Sequence, residues 1–433
     1  MSGSKSTLNS GVSRAIALVS LIVAAEAIFA LPYNVARYFR PTFLLAFNLD
    51  NTQLGLLQSA YGIVAMLAYF PGGPIADLFP ARKLLTASLL TTATGGLYFS
   101  TVPNFEQLWL LFGFWGLTTI LLFWAALIRA TREWGDPSQQ GRAYGILDAG
   151  RGLLAAVMAS AAVALFSQIF PENSEALTQA DRVRAIKGVI FFYTAVTFCA
   201  ALLTWVFVKE PELPPQGRVG RSVSMAQIRS VFGMRTVWLQ ALILICAYIG
   251  YKGIDYYSFF AVEVYGLSEV EAPRIIAGLA WIRPVAALGA GFLGDRILSS
   301  RASGILFLFL VVAYLLSGTE QFSMLGVQIF ILNIVVSSAA AFGLRGIYFA
   351  LLEEGRVPAV ATGSAVGIVS VLGYSPDVFF GVVVGWLLDS YPGALGYQYF
   401  SWVMVGFSLL GVTASFLFTR ATNLARKPRD SLV

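Results

Sequence analysis

Ten ionisable side chains stand inside long apolar stretches of this chain, where a charge is costly and therefore informative. Six are basic (Arg37, Arg40, Arg151, Lys252, Arg283 and Arg345) and four are acidic (Glu26, Asp148, Asp255 and Asp377). A charge at the centre of a bilayer costs roughly 3 kcal/mol or more unless it is paired or faces water, so such residues mark binding sites and proton paths by default. The surplus of base over acid suits an anion. Arginine's planar fork grips a carboxylate or phosphate through two parallel hydrogen bonds. The chain has no histidine, so proton chemistry near neutral pH falls to the carboxylates or to a lysine. Its two cysteines, Cys199 and Cys246, lie in separate apolar runs and read as small buried hydrophobes. No metal site or cofactor is expected.

Each charge also has a structural reading. Asp148 and Arg151 are three residues apart on one helical face, as are Lys252 and Asp255, so both couples can pair within their own helix. Arg40 precedes Pro41 and can snorkel from a membrane interface. Asp377 follows Tyr374-Ser375-Pro376, where a proline frees backbone groups that need partners. Arg37 has no acidic residue within one helical turn in the sequence, which makes it the first choice of substrate anchor. Tyr33, Trp124, Tyr256, Tyr257, Tyr348 and Tyr374 cluster at similar depths. They serve either helix packing or binding of a substrate's hydroxyls and rings.

The elements that must position these residues follow from composition. Of 433 residues, 57% are hydrophobic and 12% charged, against roughly 25% charged in soluble domains. Apolar runs of about 20 residues recur along the chain, each long enough to span a bilayer as a helix. They are too uniformly apolar for the alternating strands of a barrel. Spans are expected at 14–44, 52–76, 84–101, 106–129, 143–170 and 187–208, then at 236–262, 270–294, 303–318, 323–352, 359–388 and 396–419. The fold class is therefore an all-α polytopic membrane protein of twelve transmembrane helices. The domains are a polar tail (1–13), a six-helix bundle (14–208), a Pro- and Arg-bearing linker (209–235), a second bundle (236–419) and a tail (420–433). Placing the N-terminus in the cytoplasm puts Lys5, Arg14, Arg82, Lys83, Arg129, Arg132, Arg142, Lys209, Arg218, Arg221, Arg229, Arg235, Arg296, Arg301, Arg356, Arg420, Arg426, Lys427 and Arg429 on that side. Only Arg182, Arg184, Lys187 and Arg274 remain outside. The bias sets both termini and the linker in the cytoplasm. It also accounts for the net charge of +6 without nucleic acid as a partner.

Two short loops repeat at half-chain spacing. Gly73-Pro74-Ile75-Ala76-Asp77 runs on to Arg82 and Lys83, and Gly291-Phe292-Leu293-Gly294-Asp295 runs on to Arg301. Two sets of six helices, a central linker and these loops after the second and eighth helices resemble the major facilitator superfamily. In that family the base usually comes four residues after the aspartate and follows a glycine; here it comes five or six after. The resemblance implies a gating role for Gly73, Asp77, Arg82, Gly291, Asp295 and Arg301. Their aspartates would sit at the starts of the eleventh helix, near Ala359, and the fifth, near Arg142. The alternative is a topology signal whose bases bind lipid headgroups.

Tyr33-Asn34-Val35-Ala36-Arg37 further resembles the Tyr-x-x-x-Arg of organophosphate/phosphate antiporters and anion:cation symporters. These hold anions between an arginine on helix 1 and a base on helix 7. Lys252 occupies the latter segment one position later, with Tyr251 where the arginine would sit. The resemblance implies a secondary active transporter working by alternating access in the plasma membrane, or the inner membrane of a bacterium. Its cargo would be a small organic anion such as a carboxylate, a sugar acid, or a phosphate or sulfonate ester. The expected binding residues are Arg37, Tyr33, Trp124, Arg151, Lys252, Tyr256, Arg345 and Tyr374. Coupling to a proton or sodium would run through Glu26, Asp148, Asp255 or Asp377. Partners beyond substrate, coupling ion and lipid are not expected, and the protein is expected to be a monomer and not an enzyme. Two other readings remain open: a proton-coupled exporter of organic cations using Glu26 and Asp148, and a receptor of this fold that moves nothing.

Overall fold

A computed structural model describes residues 3–134, 140–170, 178–208, 231–357 and 362–426, and all regular structure among them is helical. Twelve long helices follow in order. They are α1 (Arg14–Tyr38), α2 (Asn51–Leu78), α3 (Ala81–Phe99), α4 (Phe105–Thr131), α5 (Ile146–Ile169), α6 (Gln179–Phe207), α7 (Arg235–Glu263), α8 (Glu271–Ile297), α9 (Ser299–Ser317), α10 (Val327–Ile347), α11 (Ala365–Ser390) and α12 (Ala394–Asn423). Eleven of these are long and apolar enough to cross a membrane. The exception, α3, is diluted by Thr86, Ser88, Thr91, Thr92 and Thr94. Several of its polar atoms are satisfied against α4. The Ser88 hydroxyl donates to Thr118 O (2.7 Å), the Thr92 and Thr118 hydroxyls meet at 2.8 Å, and Trp115 Nε1 donates to Thr92 O (3.2 Å). The span is buried by hydrogen bonds to α4 as much as by apolarity.

Helical conformation in α1 reaches back to Gly3, into the stretch expected as a polar tail. Most of the expected linker (209–230) and the last residues of the C-terminal tail (427–433) lie outside the described residues.

The chain divides into two compact units. One is Met1–Gly220 with Ser268–Ala280, and the other is Arg221–Leu267 with Trp281–Val433. In the first, α2 packs on α4 and α3 on α6. Gly116 lets α2 and α4 touch, since a Cβ there would sit 2.5 Å from Tyr61 O. Four helices start in this unit with reciprocal caps: Asp50 with Gln53, Asn104 with Gln107, Thr178 with Asp181, and Ser268 with Glu271. Each cap satisfies two orphan backbone donors, for about 1 kcal/mol. In the second unit α9 packs on α12, α8 on α10, and α7 on α12.

Besides a one-residue turn at Trp281 that divides α8 into Glu271–Ala280 and Ile282–Ile297, four helices are interrupted at mid-length, and these four breaks have local causes. Pro32 has no N–H to give, and α1 widens into a π-turn over Ala30–Asn34. The chain then bends at Phe39 into a short helix, Arg40–Phe47, so the expected single span 14–44 is two pieces. In α4 a second π-turn covers Thr118–Trp124, where the Thr119 hydroxyl takes the Trp115 carbonyl (2.7 Å). After Gly253, α7 tightens into a 3₁₀ turn at Ile254–Tyr256. Between Gly373 and Pro376, α11 breaks. Arg37 follows the first break, Asp255 sits in the third and Asp377 opens the segment after the fourth.

Candidate functional site

In the first unit the charges gather on α1 and α5. The Arg151 guanidinium lies 3.6 Å from the buried Glu26 carboxylate and 3.8 Å from Asp148. The Asp148 side chain is 58% exposed, so this triad is open on one side. Arg37, half-buried, is a charged neighbour of the Tyr193 hydroxyl on α6, together with Glu26 and Tyr38. Tyr193 was not singled out from sequence. Its hydroxyl is buried and has no hydrogen-bond partner among the described residues. A buried donor left unsatisfied costs about 1–3 kcal/mol, so this hydroxyl, beside Arg37 and Glu26, has capacity for a further partner. Tyr33 packs edge-on to Tyr61 (5.0 Å between rings), whose hydroxyl bonds Thr119. Trp124 packs edge-on to Phe29. Arg40, for which a snorkelling position was one reading, is 1% exposed and donates from Nε to Asn51 Oδ1 (3.1 Å).

In the second unit a tighter cluster forms on α7, α10 and α11. Lys252 Nζ stands 3.2 Å from Asp255 Oδ2 and 3.4 Å from Asp377 Oδ1. The in-helix pairing of Lys252 with Asp255 is therefore present, but α11 supplies a second acid that spacing alone did not reveal. Lys252, expected to be an anion anchor from the outset, is matched by two fixed carboxylates in this structure. The Tyr248 hydroxyl donates to both oxygens of Asp377 (3.1 and 2.9 Å). Sequence reasoning passed over Tyr248, which lies one helical turn before Lys252. It was absent from the list of candidates because only its partner on α11 makes it polar in function.

Tyr248 also connects this cluster to Arg345. Its ring packs at 4.9 Å on Tyr374 and at 6.0 Å on Tyr251. The Arg345 guanidinium lies 4.0 Å over the face of Tyr251. The Tyr348 and Tyr374 hydroxyls meet at 3.2 Å beside it, and Tyr248, Tyr251, Tyr348 and Tyr374 are its electrostatic neighbours. Among the described residues no carboxylate lies within ion-pair distance of Arg345. A guanidinium over a ring face gains about 0.5–2 kcal/mol and keeps its N–H edge for other acceptors. Tyr256, also expected in the binding set, is 1% exposed, and its ring packs beside Phe380 and Phe400.

The two repeated loops differ in how they turn. Three residues after Asp77 stands Pro80, at φ −56°, ψ 130°. The equivalent position after Asp295 is Leu298, at φ 85°, ψ 139°. The family pattern has glycine here, and Leu298 adopts a backbone region that essentially only glycine occupies without strain. Of the glycines, Gly73 and Gly291 have open space around them. The close approaches are at Gly72, where a Cβ would sit 3.3 Å from Leu121 O, and at Gly294, where one would sit 3.1 Å from the Ser299 hydroxyl. Arg82 lies over the ring of Trp205 (4.7 Å). Arg129 on α4 donates to the last carbonyls of α2, Ala76 O and Phe79 O. Asp77 and Asp295 are exposed. The positions expected to face them fall outside what is described: Ala359 altogether, and the side chain of Arg142. Asp295 lines a cleft of about 350 Å³ with Glu353, Glu354 and Arg356. There Glu354 accepts from the Ser300 N–H (2.9 Å) and hydroxyl, and Thr419 donates to Ser300 Oγ (2.7 Å).

Comparison with known proteins finds a family model described as Major Facilitator Superfamily matching residues 15–380. The inner membrane protein YqcE of Escherichia coli (strain K12) is 29% identical over 385 residues, spanning 85% of this chain and 86% of that one. A solved structure of a bacterial homologue of the human lysosomal transporter Spinster, inward-facing and unoccupied, matches with a TM-score of 0.76 at 16% identity, over 96% of this chain and 99% of that chain. The structure of a D-xylose–proton symporter gives 0.72 at 14% identity, over 94% and 96%. At such identities both likenesses show a shared fold.

Proposed function

The chain belongs to the Major Facilitator Superfamily, and from that membership we propose that it is a secondary active transporter that carries a small organic anion by alternating access. The observation that carries this reading is Arg345. It is an intramembrane cation braced on a tyrosine face, with tyrosine hydroxyls beside it and no carboxylate in ion-pair range among the described residues. A half-buried base whose fixed surroundings are aromatic rather than acidic is arranged to take a mobile anion. In the first unit Arg37, with Tyr193 and Tyr33 near it on the same helix or its neighbour, is the corresponding anchor. A carboxylate, a sugar acid, or a phosphate or sulfonate ester fits an arginine fork flanked by hydroxyl donors. The protein sits in the plasma membrane, or the inner membrane of a bacterium, and the distribution of its basic loop residues supports cytoplasmic placement of both termini. Coupling runs through an ion or through exchange.

One observation favours a second reading, export of an organic cation. Each charged triad holds two acids for one base, so each is one negative charge in excess. Uptake into proteoliposomes separates the two readings. Radiolabelled gluconate, lactate, isethionate and glucose 6-phosphate are tested beside the lipophilic cation tetraphenylphosphonium, for wild type and Arg345→Gln. Saturable uptake of at least one anion, lost in Arg345→Gln, is the expected result. Transport of the cation alone would overturn the anion reading, and no flux of any solute would favour a receptor.

A further inference from the structure

A groove of about 470 Å³ lies between α5 and the outer half of α8, Glu271–Ala280, which belongs to the first compact unit. Its α5 wall is Ser160, Val163, Ala164 and Ser167, one helical face at spacings of three and four. Its α8 wall is Arg274, Ala277 and Gly278, spaced the same way. Side chains this small normally let two membrane helices close until their backbones touch. Here the gap stays open: Ala164 and Gly278 are exposed, and a Cβ added at Gly278 would meet nothing within 4 Å. The α5 stripe continues inward as Leu153 and Val157, large and exposed, the mark of a lipid-facing surface. A mostly apolar groove of this kind offers water few partners, so hydrocarbon is its natural filling.

The groove has one polar end. Arg274 stands there, exposed, and gives its Nε to the Ser167 hydroxyl (3.3 Å). Among the described residues no carboxylate lies within ion-pair distance of Arg274. Glu271, one turn earlier, is a charged neighbour whose carboxylate accepts from the Ser268 N–H and hydroxyl. From Ser167 to Ser160 the wall runs about 10 Å along α5, within the roughly 15 Å of hydrocarbon in one leaflet. The bias of the basic loops puts the Arg274 end away from the cytoplasm. A guanidinium at headgroup level above an apolar slot one leaflet deep matches the two ends of a phospholipid.

We propose that this groove binds an anionic phospholipid of the outer leaflet, its phosphate on the Nη edge of Arg274 and one acyl chain between Ala164 and Gly278. The chain fills the space that the small side chains leave and fastens the outer half of α8 to α5. A helix from a second copy does not fit, because 10 Å of helix about 10 Å across fills roughly 800 Å³, more than the groove holds. The site is independent of the cargo and of the charged clusters that bind it.

The test uses the full-length protein in detergent with a phosphatidylglycerol that carries a photoactivatable diazirine in one acyl chain. Mass spectrometry should place the label on peptides of α5 and the outer half of α8. Unlabelled phosphatidylglycerol should compete about fivefold better than phosphatidylcholine of the same chains, the factor expected from one basic side chain. Arg274→Gln should bring that preference below about twofold while the label stays on α5. Gly278→Leu, which fills the groove without meeting a neighbour, should remove the label and leave the size-exclusion profile unchanged. Gly406→Leu, at another glycine with nothing within 4 Å, should keep it. Label that persists in Gly278→Leu, or that maps away from both helices, overturns the inference. So does equal competition by the two lipids in wild type, or a preference that Arg274→Gln leaves intact. If Gly278→Leu does not fold, the wild-type map and the Arg274→Gln preference decide. Each of these outcomes leaves the proposed function standing, since transport is read by flux and this site by lipid.

Discussion

Replacing Lys252 with methionine tests whether the cluster on α7 and α11 is ionised. The side chains of Lys252, Asp255 and Asp377 are 2%, 4% and 11% exposed, and the ammonium is the positive charge between the two carboxylates. Lys252→Met keeps the volume and removes the charge. Breaking a buried ion pair from one side destabilises by about 3–5 kcal/mol, and here one deletion strands two acids, which argues for the upper part of that range. Adding Asp377→Asn leaves only Asp255 uncompensated and should recover about 2 kcal/mol. The triple variant, with Asp255→Asn as well, buries no charge and should come within about 1 kcal/mol of wild type, since uncharged replacements of a buried ion cluster are often near neutral. Denaturant unfolding of the purified protein, followed by tryptophan fluorescence, gives the order. A single variant as stable as wild type would mean that the aspartates carry no charge to strand. A triple variant as poor as the single would mean that shape rather than charge holds the site together.

Three further outcomes follow from local geometry. Arg182 donates from Nε (2.9 Å) and Nη2 (2.7 Å) to Glu269 Oε1, and Thr42 donates to Oε2 (2.6 Å). Arg182→Gln should lower stability by about 1 kcal/mol in partly exposed surroundings, less so at high salt, and unchanged unfolding at low salt would discount the contact. Leu298→Gly should raise stability by about 1–2 kcal/mol by relieving the backbone at φ 85°, and a lower melting temperature would show that the Leu298 side chain matters more than its backbone. Gly116→Ala would place a Cβ 2.5 Å from Tyr61 O, whereas the same change at Gly113 meets only Val64, at 3.6 Å. Folded yield, measured by size-exclusion profile, should collapse for the first and hold for the second.

The helices were legible because apolar run length is a local property, and the basic loops oriented them. Even α3 was found, although its threonines leave it less apolar than the rest, since it lies between two recognisable neighbours. The interruptions were only half legible. Pro376 announced one of them, whereas Pro32 stood inside a stretch expected as one span, 14–44, and the π-turn at Thr118–Trp124 has no proline and depends on hydroxyls competing for a carbonyl. Candidate charges were visible one by one, and their partners were visible only within a helical turn. Asp255 could be assigned to Lys252 from spacing, whereas Asp377, which lies on another helix, could not. That single contact moved Lys252 from open anchor to matched base and left Arg345 as the clearer binding group. Tyr193 and Tyr248 escaped notice for the same reason: a tyrosine in an apolar helix shows its role only through what its hydroxyl meets.

The two units repeat one arrangement with the base moved. Glu26 on α1 faces Arg151 and Asp148 on α5, and Lys252 and Asp255 on α7 face Asp377 on α11. These are the first and fifth helices of each set of six, and each pair holds one base against two acids. Which helix supplies the base is free, because attraction across the pair requires only opposite sign. The depth of the two triads is not the same. The outer acid of the first, Asp148, is 58% exposed, whereas both acids of the second are buried. Water can therefore screen what Arg151 leaves behind, and Arg151→Met should cost about 1–2 kcal/mol, against about 3–5 for Lys252→Met. Equal losses in the same unfolding assay would mean that burial does not set the strength of these triads.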